Sequence, residues 1–260
     1  MRRIYLYVVG ALSVVLLPSC VSDEADSREP MRIAQTIWYE AKADLDYVNR
    51  MLTDAVHFDH MLTIEDDSLR DTYFDIYFGQ RSELDERANG YVVKRMSNYD
   101  LPIYIYYITN KCALGDGEWT VRYEGGNDYT MTLTPQEDGT IMADITTLYI
   151  DESSGEASLR FKYDVSELDD RCNAEAEVEY EGYVELVDKS ASASRPLTLR
   201  SQTKMPVTIS DRYEFSFRSG QIEIDCHDAY YGSHDKVDVS FSSDPQGYTL
   251  KYRGQSKSYY

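Results

Sequence analysis

Tyr213-Glu214-Phe215-Ser216-Phe217-Arg218-Ser219-Gly220-Gln221-Ile222-Glu223-Ile224-Asp225-Cys226 alternates apolar and polar side chains on both sides of Ser219-Gly220. Successive side chains of a strand point to opposite faces, so Tyr213, Phe215 and Phe217 share one face and Glu214, Ser216 and Arg218 the other. Ile222, Ile224 and Cys226 repeat the pattern against Gln221, Glu223 and Asp225. A turn at Ser219-Gly220 pairs Phe217 with Ile222, Phe215 with Ile224 and Tyr213 with Cys226, all on the buried face of one hairpin. The stretch predicts antiparallel β structure.

The same logic recurs outward from it. Glu118 to Glu124 and Asp128 to Thr134 form a second hairpin around Gly125-Gly126-Asn127, with Trp119, Val121 and Tyr123 facing in. At 174–187, Ala174, Ala176, Val178, Tyr180, Val184 and Leu186 share one parity and Glu175, Glu177, Glu179, Glu181 and Glu185 the other. Upstream, Ala157, Leu159, Phe161, Tyr163 and Val165 alternate with Arg160, Lys162 and Asp164. A hairpin through 166–173 brings Lys162 near Glu177 and Arg160 near Glu179, and such cross-strand ion pairs help to fix register. Further strands are predicted at 102–109, 140–150, 197–201, 205–210, 237–241 and 248–252, about a dozen in all. There is no alternation of strands and helices, so a doubly wound parallel sheet is not expected. Ser190-Ala191-Ser192-Ala193-Ser194 reads as a flexible loop able to separate two β-subdomains.

One helix precedes the strands. Ala34, Trp38, Ala41, Leu45, Val48, Leu52 and Ala55 recur at spacings of four and three, with Ile33, Ile37, Met51 and Val56 widening the stripe. The helix is placed at about 31–62. It is either a coiled-coil stalk or an amphipathic helix packed on the sheet, and the width of the stripe favours the second. Beyond Asp66-Asp67-Ser68, the dense run Tyr73-Phe74-Asp75-Ile76-Tyr77-Phe78 reads as a short buried strand, with a helix as the alternative. Gln80 to Gly90 reads as a loop. The expected fold is α+β and predominantly antiparallel β, as a sandwich, barrel or extended meander with one N-terminal amphipathic helix. Its segments are 1–19, 20–30, 31–79 (helix plus short strand) and 80–260 (the β domain).

Composition narrows the partners. The chain has 260 residues, with 26 Lys+Arg against 46 Asp+Glu, a formal charge of −20. It is long enough to bury a core without staples, and its net field repels nucleic acid and anionic lipid headgroups. Tyrosine dominates the aromatics, 24 residues against 7 Phe and 2 Trp, which suits β structure and amphipathic surfaces.

The N-terminus carries an address. Met1-Arg2-Arg3 is basic, Ile4 to Leu17 is apolar but short for a membrane span, and Leu17-Pro18-Ser19-Cys20 follows. These residues resemble a bacterial lipoprotein signal, and Val21-Ser22-Asp23-Glu24-Ala25-Asp26-Ser27 resembles the acidic export segment of Bacteroidota surface lipoproteins. The resemblance covers about the first 26 residues. It implies removal of residues 1–19, acylation of Cys20, a tether over 20–30 and an outer-membrane location at the cell surface, with the periplasmic face as the alternative. Losing Arg2 and Arg3 leaves 24 basic and 46 acidic residues, a charge of −22.

Catalytic signatures are weak. Beyond Cys20 an odd number of cysteines remains: Cys112, Cys172 and Cys226, of which Cys112 and Cys172 are the better pair and Cys226 reads as a buried thiol. Cys226 and His227 are neighbours on a strand and point apart, a poor dyad. His57 and His60, three apart near the helix end with Asp54 and Asp59 close by, invite a metal, but histidines in a last turn are favoured by the helix dipole, which is the preferred account. His227, Asp228, His234 and Asp235 fit no zinc spacing. The Glu175–Glu185 ladder spreads its carboxylates at intervals of ~6.6 Å, a poor calcium cage. No phosphate loop, dinucleotide turn or nucleophile elbow is present in the sequence. No catalytic residue, metal or cofactor is therefore assigned.

Leu101 to Ile108 is uncharged, a central strand or a tyrosine platform. Tyr104 and Tyr106 on one face, and Tyr230 and Tyr231 in a loop, are the candidate ligand-binding residues, because tyrosine suits sugar rings. Tyr259 and Tyr260 are set aside as a fraying chain end. The expected protein is a lipid-anchored, non-catalytic binding or structural module whose partners are the membrane, through Cys20, and a glycan or an envelope protein. The alternatives are a cell-surface glycan-binding component of a polysaccharide-uptake system and a carboxylate-dependent glycan-processing enzyme.

Overall fold

A computed structural model describes residues 23–96, 100–125, 128–150, 153–167, 176–188, 197–201, 205–210, 214–226, 235–243 and 246–260. Helix α1 (Asp23–Thr63) opens at Asp23 and runs through Pro30, so the second part of the expected 20–30 tether is helical. Every residue of the predicted stripe, from Ala34 to Ala55, is buried. The stripe packs on the chain's own sheet.

The run expected as a short strand is a helix, α2 (Asp67–Phe78). Asp66 is its N-cap, accepting the Leu69 N–H at 2.9 Å, and Gly79 closes it at φ 98° with its N–H on the Asp75 carbonyl. The acidic break in the apolar pattern is thus a cap, which offers the first turn's orphan N–H groups an acceptor. Tyr73, Phe74 and Phe78 bury one face, a helical spacing concealed by the apolar residues between them.

Fifteen strands follow among the described residues: β1 (Glu83–Arg87), β2 (Gly90–Met96), β3 (Pro102–Ile108), β4 (Trp119–Glu124), β5 (Tyr129–Pro135), β6 (Ile141–Ile150), β7 (Ser153–Val165), β8 (Ala176–Asp188), β9 (Leu197–Ser201), β10 (Met205–Ser210), β11 (Glu214–Phe217), β12 (Gly220–Cys226), β13 (Asp235–Ser243), β14 (Gln246–Tyr252) and β15 (Gln255–Tyr259). They form one antiparallel meander in the order β1 to β9, then β12 to β15, with a β10–β11 ribbon attached to β8. The predicted loop at 80–90 contains β1, exposed at all five positions. Its turn into β2 requires Gly90, where a Cβ would lie 1.9 Å from the Tyr107 carbonyl oxygen.

The 213–226 hairpin does not form. Phe217 and Phe215 of β11 oppose Val207 and Ile209 of β10, while β12 lies between β9 and β13. Alternation sets the face a residue takes, and Phe217, Ile222 and Ile224 are indeed buried. It does not set the partner. β8 is thirteen residues long and pairs β10 along its first part and β9 along its second, so the sheet forks there. The β7–β8 hairpin forms with even parity but lies two residues from the expected register: Lys162 opposes Glu179 and Arg160 opposes Glu181. The β4–β5 hairpin forms as expected, pairing Trp119 with Leu133, Val121 with Met131 and Tyr123 with Tyr129.

The sheet curls round α1. Near one end of the helix, Trp38 meets Phe217, Phe241 and Tyr248 at centroid distances of 6.3, 5.6 and 5.7 Å. Near the other, Phe58 stacks on Tyr107 of β3 at 3.9 Å and meets Tyr91 of β2 and Trp119 of β4 edge-on. Nine consecutive residues, Met51 to Asp59, are buried, so no face of the helix is open there. Among the described residues, no helix is long and apolar enough to cross a membrane.

Candidate functional site

Two polar constellations lie on α1. The first is interior. Asp54 accepts the Tyr77 hydroxyl of α2 at 2.9 Å on Oδ1 and the Tyr123 hydroxyl of β4 at 2.7 Å on Oδ2. Asp59 accepts the Leu114 N–H at 2.8 Å and the Tyr163 hydroxyl of β7 at 2.7 Å. Both carboxylates are buried, and each ties the helix to two other elements. Burial pushes the Tyr77, Tyr107 and Tyr123 phenols well up, and the Asp54 charge pushes the same way, so they remain donors at any physiological pH.

His57 sits beside this network. Its Nδ1 hydrogen-bonds the Tyr73 hydroxyl, and its ring stacks on Tyr77 at 4.0 Å. Burial, reinforced by nearby His60, pushes the imidazole down to about 3, so it is neutral at pH 7. Nε2 of His57 and both amide atoms of Asn49 are buried without a partner. Among the described residues, no group of three or more His, Cys, Asp or Glu is placed to hold a metal ion. The carboxylates are spent on phenol and amide donors, which makes this constellation a lock between helix and sheet.

The second constellation is open. A groove of about 680 Å³ runs between the first turns of α1 and edge strand β15, lined by Met31, Arg32, Gln35, Gln255, Ser256, Lys257 and Tyr259. Its aromatic wall is continuous with the core: Tyr259 stacks on Tyr248 at 5.0 Å, and the Lys257 ammonium lies 5.0 Å from the Tyr259 centroid. The Gln35 amide donates to the Tyr39 hydroxyl at 3.1 Å, and burial together with a hydrogen bond to Tyr39 pushes the Tyr248 phenol up to about 12. Tyr39 is 56% exposed and Tyr260 85% exposed. The wall's fit depends on Gly247, where a Cβ would lie 2.2 Å from the Tyr259 carbonyl oxygen.

Tyr104 and Tyr106 stand half-buried on the outer face of β3, opposite the parity of buried Ile105 and Tyr107. The Arg122 guanidinium lies 4.7 Å from the Tyr106 centroid, and a hydrogen bond to Glu124 pushes the Tyr106 phenol up. These two tyrosines belong to a polar outer grid and do not meet the groove. Cys20, Tyr230, Tyr231, Cys172, His227 and His234 lie outside the described residues. Cys112 is a free, half-buried thiol whose Sγ donates to the Thr109 carbonyl.

The sequence points to Asp54 and Asp59 only as neighbours of the His57–His60 pair, and their role as buried acceptors and the groove are not legible in it. Tyr259 was discounted as a frayed end, yet it belongs to a paired strand. Comparison with protein-family models, with curated proteins and with solved structures finds no match for this chain.

Proposed function

We propose that this chain is a lipoprotein anchored through Cys20 to the outer membrane, displayed at the cell surface, and acting without catalysis as a binding or structural module through the groove beside β15. The observation that carries the reading is the contrast between the two constellations. The buried carboxylates Asp54 and Asp59 are each engaged by two donors, whereas the groove presents amide, hydroxyl, ammonium and aromatic groups to solvent. Glycoside hydrolysis needs two carboxylates facing an open cleft, and among the described residues no carboxylate lines this groove. Met31 lies eight residues into α1, a rise of ~12 Å, so the groove begins close to the anchored end.

Palmitate labelling tests the anchor. The parent chain takes up label, Cys20→Ala abolishes it, and protease added to intact cells removes the folded body. Unlabelled parent chain would sink the anchor, and protection from protease would move the protein to the periplasmic face.

A glycan-binding reading draws support from the exposed Tyr39 ring, hydrogen-bonded to the Gln35 amide at the groove, and from Tyr259 in the groove's lining. A glycan array on the parent chain and Tyr39→Ala tests it. Signal on the parent that is lost in the variant supports a sugar ligand, and a blank array on the parent removes it.

A further inference from the structure

Among the described residues, the meander has two unpaired edges: β15 pairs only with β14, and β1 only with β2. An unpaired edge is a row of backbone donors and acceptors ready to accept another strand. At β15 that row faces the groove, and β1 is exposed on both faces along its whole length. One end is therefore a slot and the other a projecting strand.

The side chains at the two ends match. Gln255, Lys257 and Tyr259 oppose Tyr252, Leu250 and Tyr248, so they share the inward parity of β14's core residues. Lys257 is nonetheless exposed, and the groove's charges, from Lys257 and Arg32, are positive in a chain of net charge −20. On β1, Leu84 and Glu86 oppose Val93 and Tyr91, which gives them the same inward parity. Leu84 is one of the large apolar side chains left exposed among the described residues, at 40%. Glu86 gives one carboxylate oxygen to Lys111, leaving the other available.

We propose that the slot beside β15 takes β1 of a second copy of this chain, joining copies head to tail into rows. The inference rests on the reading of the chain as a binding or structural module and names the partner of that same groove. Antiparallel addition places Lys257 opposite Glu86, Tyr259 opposite Leu84 and Ser258 opposite Asp85. The Lys–Glu pair is then a cross-strand ion pair, and Leu84 gains Tyr259 and Met31 to pack against. Pairing β15 with its own copy about Lys257 instead sets two ammonium groups opposite each other, which disfavours a closed dimer. Two different edges meeting make a heterologous contact, which propagates instead of closing. Strands of five residues bury little surface, so the contact is weak in solution and depends on crowding at a surface.

Disulfide trapping in the full chain is the test. In a background with Cys112, Cys172 and Cys226 changed to Ser, cells carrying the double variant Asp85→Cys with Ser258→Cys are expected to give a ladder of reducible oligomers on mild oxidation, and each single variant at most a dimer. Lys257→Glu added to the pair weakens the ladder by roughly fivefold, and Glu86→Lys restores it by reversing the ion pair. All four positions are exposed, so folding is retained and is checked by circular dichroism. No ladder in the double-cysteine chain, or a ladder indifferent to both charge changes, overturns the proposal. Glycan-array signal without a ladder would overturn the row while leaving the groove a binding site; loss of both would take the binding reading with it.

Discussion

The two halves of α1 are built from the same apolar stripe and do different work. From Met51 to Asp59 the helix is enclosed on every side, and its polar groups are tied to α2, β4 and β7 through Asp54 and Asp59. From Met31 to Tyr39 only one side is covered, and the other side lines the groove with Arg32 and Gln35, the latter hydrogen-bonded to exposed Tyr39. Enclosure makes a polar group costly to disturb, because its partner is left without water. Openness makes a polar group cheap to change and available to a ligand. Substitutions along one helix should therefore divide into those that unfold the protein and those that disarm it.

The largest effect is expected at Asp54→Ala. The change leaves the Tyr77 and Tyr123 hydroxyls buried without an acceptor, each worth ~1–3 kcal/mol, so the loss is roughly 2–6 kcal/mol. Urea unfolding measures it. Tyr123→Phe removes one donor and leaves the carboxylate its other partner, so it should cost clearly less. Equal and small losses in the two variants would show that the interior network is not what holds helix to sheet.

Next comes the pH dependence from His57. Its folded pKa, about 3, lies below the ordinary value of 6.5, so the unfolded chain binds the extra proton first as pH falls. Above pH 6.5 the imidazole is neutral in both states and contributes no slope. Between 6.5 and about 3 it removes stability at up to roughly 1.4 kcal/mol per pH unit, until the folded state protonates too. Asp46, held up by burial against the pull of Lys42, acts in the opposite sense in its own range, losing stability as pH rises. Comparing the parent with His57→Phe isolates the histidine: the variant should show the shallower decline in urea midpoint between pH 6 and 4.

How much of this was legible follows from what each pattern encodes. The period of α1 and the alternation of β4, β5 and β7 report which face is buried, and those faces are right, as they are for Ala176 and Val178 at the start of β8. Partner choice is not encoded in alternation, which is why Phe217 faces inward as expected yet opposes Val207 instead of Ile222. α2 reads as a strand because five apolar residues in a short run satisfy either period, and the deciding signal is the Asp66 cap. In the sequence Asp54 and Asp59 stand out only as acids beside the His57–His60 pair. Their burial depends on tyrosines 23 to 104 residues away, and nothing local marks such pairs. The groove is likewise a product of topology, because Gln35 and Tyr259 sit at opposite ends of the chain and meet only when the meander closes over the helix.

The smallest expected effect on stability, and the sharpest test of the contrast, is Tyr39→Ala. The side chain is 56% exposed, and its hydroxyl meets Gln35 and Tyr248 at the groove wall instead of closing the core. Exposed substitutions of this kind usually shift stability by within ~0.5 kcal/mol, so the urea midpoint should stay close to that of the parent. The Tyr248 phenol, by contrast, loses one of the influences holding it up, and its titration, followed by ultraviolet absorbance, should begin at lower pH than in the parent. A variant that unfolds early would mean that the open half of α1 is as structural as the enclosed half. A variant that keeps its midpoint and shifts its phenol titration would place Tyr39 in the groove's wall, where a change alters the surface offered to a partner and leaves the fold alone.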